Sequence, residues 1–299
     1  MNSTEAVLPS LAVRSLPRRT QAHGAPPPGT GRSRGLGAYA FTAALAQLAE
    51  AGASGALYGS AGAVYLRDGA VVHAESPCAP DLGVRLMACG RLSPDQWREA
   101  ITTAGAEHGV GPHLVDSGRL ARGELELCHL LALFDAAYFS LLPDSEPEGF
   151  QPGVTSRLGP ISPPVPAGRV AREAQRRRAQ LERAWPWDDT DAGPVVPRPG
   201  DEFRGDRVRG PTPGQLAVLA AADCSRTPVQ IAWHLGRSAF ATLLDVRRLA
   251  AAGRIATPAR AEAPPSVSPP VPGGPHPASS ADPSVTLLLR VRAALEARL

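Results

Sequence analysis

Three times the chain writes a hydroxyl residue, a proline, a variable residue and a glutamine: Ser93-Pro94-Asp95-Gln96, Thr212-Pro213-Gly214-Gln215 and Thr227-Pro228-Val229-Gln230. The hydroxyl of such a box accepts from the amide three residues on, and the glutamine reaches back. Proline is tolerated there because its missing N–H falls in the first turn, where no intrahelical partner is lost. The pattern predicts three helix starts. The first runs through Trp97 and Ile101, the second through Leu216, Val218 and Leu219, and the third through Ile231 to a stop at Gly236. Ser238 then caps a further helix with Phe240, Leu243, Leu244 and Leu249 facing inward, closed by Gly253, and Arg254-Ile255-Ala256 begins a strand. Helices of about 9, 9 and 14 residues with a short turn between the last two match a helix-turn-helix, and the trailing strand suggests a winged variant.

The first half has a different period. Phe41, Leu45 and Leu48 share a helical face that stops at Gly52. Ala56-Leu57-Tyr58, Ala63-Val64-Tyr65-Leu66 and Ala70-Val71-Val72-His73-Ala74 are short strands, the last two joined at Asp68-Gly69, whose residues accept the left-handed backbone of a tight hairpin. Counting back across that turn pairs Leu66 with Val71, Val64 with His73 and Tyr65 with Val72. A meander this small needs helices over one face. A short helix from Asp81 to Cys89, the Trp97 helix, a helix and turn before Ser117-Gly118, and a long helix carrying Leu125, Cys128, Leu131, Leu133 and Phe134 supply them, with Tyr138–Leu141 turning extended. A helix over 168–184 has a narrow stripe of Val170, Ala174 and Leu181 and six arginines, among them Arg172, Arg176, Arg177, Arg178 and Arg183, and the stretch after it, residues 185–200, reads as a linker.

The expected class is α+β: a small antiparallel meander packed with helices, followed by a separate winged helix-turn-helix-like unit. The divisions are a disordered tail over 1–34, an α+β domain over 35–154, a Pro-rich segment and Arg-rich connecting helix over 155–196, a linker over 197–210, the winged unit over 211–260, a Pro-rich linker over 261–284 and a C-terminal amphipathic helix over 285–299.

Charge follows these divisions. All 31 basic residues are arginine, so arginine richness alone says little. Residues 35–150 carry six arginines against 14 acidic residues, whereas 197–260 carry ten against five. An acidic first part and a basic second part are permissive for an anionic partner through the C-terminal half. In a DNA-binding reading, Ser238, Thr242 and the outward residues Ala239, Ala241 and Asp245 of the third helix approach base edges. Arg237, Arg247, Arg248 and Arg254 serve phosphates or bases, with Arg207 and Arg209 as flanking charge. Two alanines and an aspartate read bases poorly, and such a unit is equally suited to packing or protein contact. The Arg-rich helix is read as lying on the acidic domain or facing an external anionic partner.

Enzyme chemistry finds little support. Without lysine there is no phosphate-binding loop of the Walker type. No paired Cys and His spacing suits zinc, and Cys78, Cys89, Cys128 and Cys224 read as small buried hydrophobes, not as a disulfide framework. His73 and Glu75 share a strand face near Cys78 and form at most a small reactive cluster; the plainer reading of His73 is a sheet residue near a domain edge. His129 beside Cys128 reads as packing or surface, and His108 and His113 as loop residues. No metal or cofactor is expected. The absence of an apolar run of about 20 residues argues against a membrane span, and the reading is cytoplasmic.

Val64–Ala74, with Gly90-Arg91-Leu92, Gly118-Arg119-Leu120, and Arg172–Arg177 after the domain, resembles a family of unknown function found at the N-termini of PatA-like response regulators. The C-terminal unit resembles winged-helix modules of actinobacterial putative transcriptional regulators. These resemblances imply a non-enzymatic regulatory protein that binds double-stranded DNA through its C-terminal unit and a protein partner, or a second copy, through its N-terminal domain. The alternative is a signalling scaffold that binds proteins through both.

Overall fold

The apolar stripe of the first helix leads directly into the sheet that it covers. The structure, a computed structural model, describes residues 39–107, 109–198 and 210–257. Expectations for the 1–34 tail, His108, Arg207, Arg209, the 261–284 linker and the 285–299 helix lie outside the described residues. Helix α1 (Ala40–Glu50) buries Phe41 and Leu45. Strands β1 (Gly55–Gly59), β2 (Gly62–Arg67) and β3 (Ala70–Glu75) follow, then helices α2 (Leu82–Ala88), α3 (Pro94–Ala104), α4 (Val110–Asp116) and α5 (Arg122–Ser140). Two edge strands, β4 (Pro147–Pro152) and β5 (Val165–Pro166), complete an antiparallel sheet in the order β4-β1-β2-β3-β5. Helices α6 (Ala167–Ala184), α7 (Asp189–Ala192), α8 (Pro213–Ala221), α9 (Pro228–Leu235) and α10 (Ala239–Ala251) come last. The architecture is α+β, a small antiparallel sheet followed by several helices.

The β2–β3 register departs from simple counting. Leu66 opposes Val71 as expected, but a bulge between Tyr65 and Leu66 pairs Tyr65 with His73 and Val64 with Ala74. An extra residue on one strand reverses the alternation locally. Val64, Leu66, Val71 and Ala74 thereby all enter the main core, while Tyr65 joins Ala56 and Ala63 in a separate small cluster.

The two Gly-Arg-Leu turns have one geometry. Gly90 (φ 72°) ends α2, and the amides of Arg91 and Leu92 both return to the Leu86 carbonyl. Gly118 (φ 69°) ends α4, and Arg119 and Leu120 return to Leu114 in the same way. The left-handed glycine satisfies carbonyls at the helix end, and the following leucine drops into a core common to both turns. Ser93, Thr212 and Thr227 each form the complete capping box, with both reciprocal hydrogen bonds present.

Other expectations change as well. Tyr138–Ser140 remain helical, because Leu133, Ala136, Ala137, Tyr138 and Phe139 are all buried; a helix buried on every side carries apolar residues all round. The stretch after α6, which reads as linker, belongs to a core: Val195 is buried with Val218, Ile231, Val246 and Leu249, and its amide donates to the Arg226 carbonyl. Nearby, Pro197 pairs with Ile255 in an isolated antiparallel bridge.

The three-helix segment is not set apart. Ala232, Ala239, Phe240, Leu243 and Leu244 belong to the same core as the sheet and α5, and all described residues fall within one compact unit. Gly236 marks a close approach: its φ is 58°, and an added Cβ would collide with the Ala88 side chain of α2. Gly236→Ala is expected to destabilise the protein by about 1–3 kcal/mol, from left-handed strain and overpacking together. Gly149→Ala, with open space around it, should stay within about 0.5 kcal/mol. Urea denaturation of the two variants measures the difference, and equal midpoints would contradict the close packing.

Candidate functional site

Helix α10 is the natural place to look for a site, and its N-terminus is held by a residue far away in sequence. The Asp135 carboxylate, on α5, is fully buried. It accepts from the Ser238 hydroxyl at 2.7 Å, the Ala239 amide at 2.8 Å and the Phe240 amide at 3.0 Å. Ser238 meanwhile caps the Ala241 amide at 3.2 Å. Unpaired amides and the helix dipole favour an anion at this end. Two guanidiniums balance the buried charge. Arg85 of α2 is ion-paired to Asp135 Oδ2, and Arg177 of α6 lies 3.5 Å from Oδ1. Arg177 also donates to the Phe134 carbonyl at 3.1 Å and stacks 4.8 Å above the Phe240 ring. Asp135 thus joins α2, α5, α6 and α10 at one point.

The residues singled out for DNA are distributed accordingly. Ser238 faces Asp135. Thr242 is fully buried and donates to the Ser238 carbonyl at 2.9 Å. Ala239 and Asp245 are buried as well. Arg237 donates to Asp245 at 2.8 Å and to the Gly214 carbonyl at 3.0 Å. Arg247 is buried and grips Asp191 of α7 through two bonds, at 2.9 and 2.6 Å, with a third to the Trp185 carbonyl. Arg248 is exposed. The Arg254 amide closes the α10 turn on the Leu249 carbonyl, and its carbonyl accepts from Arg198. The structure therefore does not bring these side chains together on one open face. In the Arg-rich helix, Arg177 and Arg178 turn inward, Arg178 over the Tyr39 ring at 5.0 Å, whereas Arg169, Arg172, Arg176 and Arg183 remain exposed.

A second constellation lies between the sheet and α5. His73 Nδ1 is 3.0 Å from His129 Nε2, and His73 Nε2 is 3.2 Å from Glu75 Oε1. The Tyr65 hydroxyl donates to Glu75 Oε2 at 3.2 Å, and His129 Nδ1 lies 2.9 Å from the Ser162 hydroxyl. The two imidazoles stack with centroids 5.2 Å apart. His73, His129 and Ser162 are buried, and Glu75 reaches solvent. Burial pushes the His129 imidazole down to about 3, and the neighbouring His73 adds to this. Burial works to raise the Glu75 carboxyl, but the hydrogen bond from His73, the charge His73 gains when protonated, the Tyr65 hydroxyl and Arg157 together outweigh it and hold the group below its usual range. Burial and the Glu75 carboxylate raise the Tyr65 hydroxyl. Cys78 stands outside this network; its amide is bonded to Ser76, and burial raises its thiol, whereas Cys89 and Cys224, expected to be buried, are exposed. Among the described residues, no group of three or more Cys, His, Asp or Glu side chains is arranged to hold a metal.

Sequence reasoning missed Asp135. The signal was an aspartate in the otherwise apolar run LALFDAAYFS, a charge that burial tolerates only when paired. It noted His73 with Glu75 and, separately, His129, but not their contact. Among the described residues, no helix is long and apolar enough to cross a membrane. Compared with family models, characterised proteins and solved structures, the chain matches none.

Asp135→Ala should cost about 3–5 kcal/mol, because it strands two guanidiniums and the α10 amides. Asp135→Asn, which keeps an acceptor, should cost less. Urea unfolding measures both, and a loss below about 0.5 kcal/mol for the alanine variant would contradict the network. His129 also makes stability pH-dependent. Its folded-state value lies below the ordinary 6.5, so the unfolded chain binds the extra proton. The contribution is complete above about 6.5 and is lost as pH falls towards about 3, by up to about 1.4 kcal/mol per pH unit. Between pH 6.5 and 5 the stability of the native chain should fall more steeply than that of His129→Gln. Parallel curves would refute this origin.

Proposed function

We propose that the chain is a regulatory protein that acts through protein contacts, with α10 serving as an internal structural helix. The observation that carries this reading is the insertion of the α10 N-terminus onto Asp135. A helix that enters a major groove presents its N-terminal side chains to base edges. Here that end faces α5, and Arg247 is committed to Asp191. The winged helix-turn-helix reading rests on the order of α8, α9 and α10, but its would-be recognition helix is the most enclosed of the three. The likeness of the Val64–Ala74 strand pair and the Gly-Arg-Leu turns to PatA-like regulatory domains points the same way, towards signalling rather than catalysis.

A surface suited to a protein partner lies on α5. Leu127 and Leu131 are 59% and 50% exposed and stand four residues apart on one helical face. Together they form apolar surface that a protein partner would cover.

The reading is tested with duplex DNA. Titrated with the full chain across a salt series beginning near about 50 mM, DNA should show no saturable, salt-dependent binding. Binding weakened by Arg247→Ala or Arg248→Ala would restore the DNA-reading alternative. In parallel, a photo-crosslinking residue at position 131 should capture a discrete protein species, a second copy included, whereas one at the exposed Thr103 should not. Equal capture at both positions would count against the α5 surface.

A further inference from the structure

We propose that Ser162, His129, His73, Glu75 and Tyr65 form a proton-operated switch. Uptake of one proton by His73 reverses the hydrogen bond between the two imidazoles and withdraws the acceptor that holds the Ser162 hydroxyl. The inference stands apart from the choice of partner above and concerns a signal that the protein can sense.

The donor count fixes the resting arrangement. A carboxylate only accepts, so Glu75 requires a proton on His73 Nε2. With His73 neutral, its Nδ1 is then an acceptor, and His129 must donate from Nε2. A neutral His129 so protonated has a bare Nδ1, which accepts from the Ser162 hydroxyl. Every donor points outward, from buried Ser162 to half-exposed Glu75, and every bond is satisfied.

With the added proton on His73, the chain has one consistent arrangement. His73 becomes an imidazolium and donates from both nitrogens, to Glu75 and to His129. His129 stays neutral, accepts at Nε2 and carries its proton on Nδ1, where it donates to Ser162. The net change is one proton from solvent and one change of tautomer. His73 is the receiving ring because a carboxylate touches it, while His129 has only His73 and a hydroxyl as polar partners.

The surrounding charges leave the switch to these groups. From β2, Tyr65 donates to Glu75, with Tyr58 of β1 behind it; Arg157 adds positive charge near Glu75. Strand β5 is Val165 and Pro166. Arg85 and Arg177, brought to α5 by α2 and α6, are both taken by Asp135. Helix α4 carries His113 and Asp116, neither hydrogen-bonded to the pair.

The mechanical output is the segment between β4 and β5. It crosses α4, where the Gly111 amide donates to the Leu158 carbonyl at 2.8 Å and the Val110 amide to Arg157 at 3.4 Å, with Ile161 buried beside them. His129 is the hydrogen-bond partner of the Ser162 hydroxyl. Reversal turns that hydroxyl into an acceptor and leaves its own proton unsatisfied in a buried site, which loosens the segment.

Nitrogen-15 spectra of the histidine side chains, recorded on the full chain across pH, test the switch. His129 should carry its proton on Nε2 at neutral pH and on Nδ1 once His73 is doubly protonated. Over the same transition, hydrogen exchange at Gly111 should accelerate beyond the intrinsic pH effect. Glu75→Gln removes the counter-ion at an exposed position and should lower the transition midpoint. The proposal is overturned if His129 keeps one tautomer throughout, if His129 takes the proton first, if Glu75→Gln leaves the midpoint unmoved, or if the chain unfolds before His73 titrates.

Discussion

A buried carboxylate on the longest helix of the sheet layer sets the terms for the rest of the molecule. Asp135 sits in an apolar interior, where an unpaired charge is prohibitively costly, so everything around it must supply donors. Two arginines from flanking helices and the N-terminus of α10 do so. The three-helix segment is thereby obliged to sit on the sheet's helix. Burial of Phe240, Leu243 and Leu244 against Tyr138 and its neighbours follows from that placement, and the Arg177 guanidinium over Phe240 closes the site. Hydrophobic burial provides the bulk of the attraction, while the carboxylate sets the docking position.

That placement changes what a helix-turn-helix order means here. The same three helices, free in solution, would offer α10 to a groove. Docked, α10 becomes the most shielded element of the segment, and its buried arginine, Arg247, closes an internal ion pair. The basic excess of the C-terminal half is partly absorbed in the same way. Arg237 meets Asp245, Arg247 meets Asp191, and Arg177 on the connecting helix meets Asp135 and Glu173. Net charge along the sequence thus overstates the free positive surface.

Local signals were legible in the sequence, and long-range ones were not. The capping boxes at Ser93, Thr212 and Thr227 and the glycine stops at Gly52, Gly90, Gly118 and Gly236 depend on residues within one turn, so the helix ends could be read directly. The hairpin turn at Asp68-Gly69 was similarly visible, but the bulge beyond it was not, because nothing local marks which strand carries the extra residue. Strand β4, built on Pro-Glu-Gly-Phe-Gln-Pro, has no strand signature and exists because β1 offers it a partner. The linker reading of the stretch after residue 184 failed for a related reason: Val195 and α7 are ordered by helices that follow them. Asp135 and the hydroxyl it binds are separated by 103 residues, and the two histidines by 56. Residue type alone could suggest each member of these pairs but not their meeting.

The central claim is that one buried carboxylate makes the sheet layer and the C-terminal helices a single cooperative body. Native-state hydrogen exchange measures this most directly. The Ala239 and Phe240 amides, and those along α10, should open only with global unfolding, at the same free energy as the amides at the centre of α5. Opening of α8, α9 and α10 as a group at a distinctly lower free energy would show that the segment is an independent unit, and the account would be wrong.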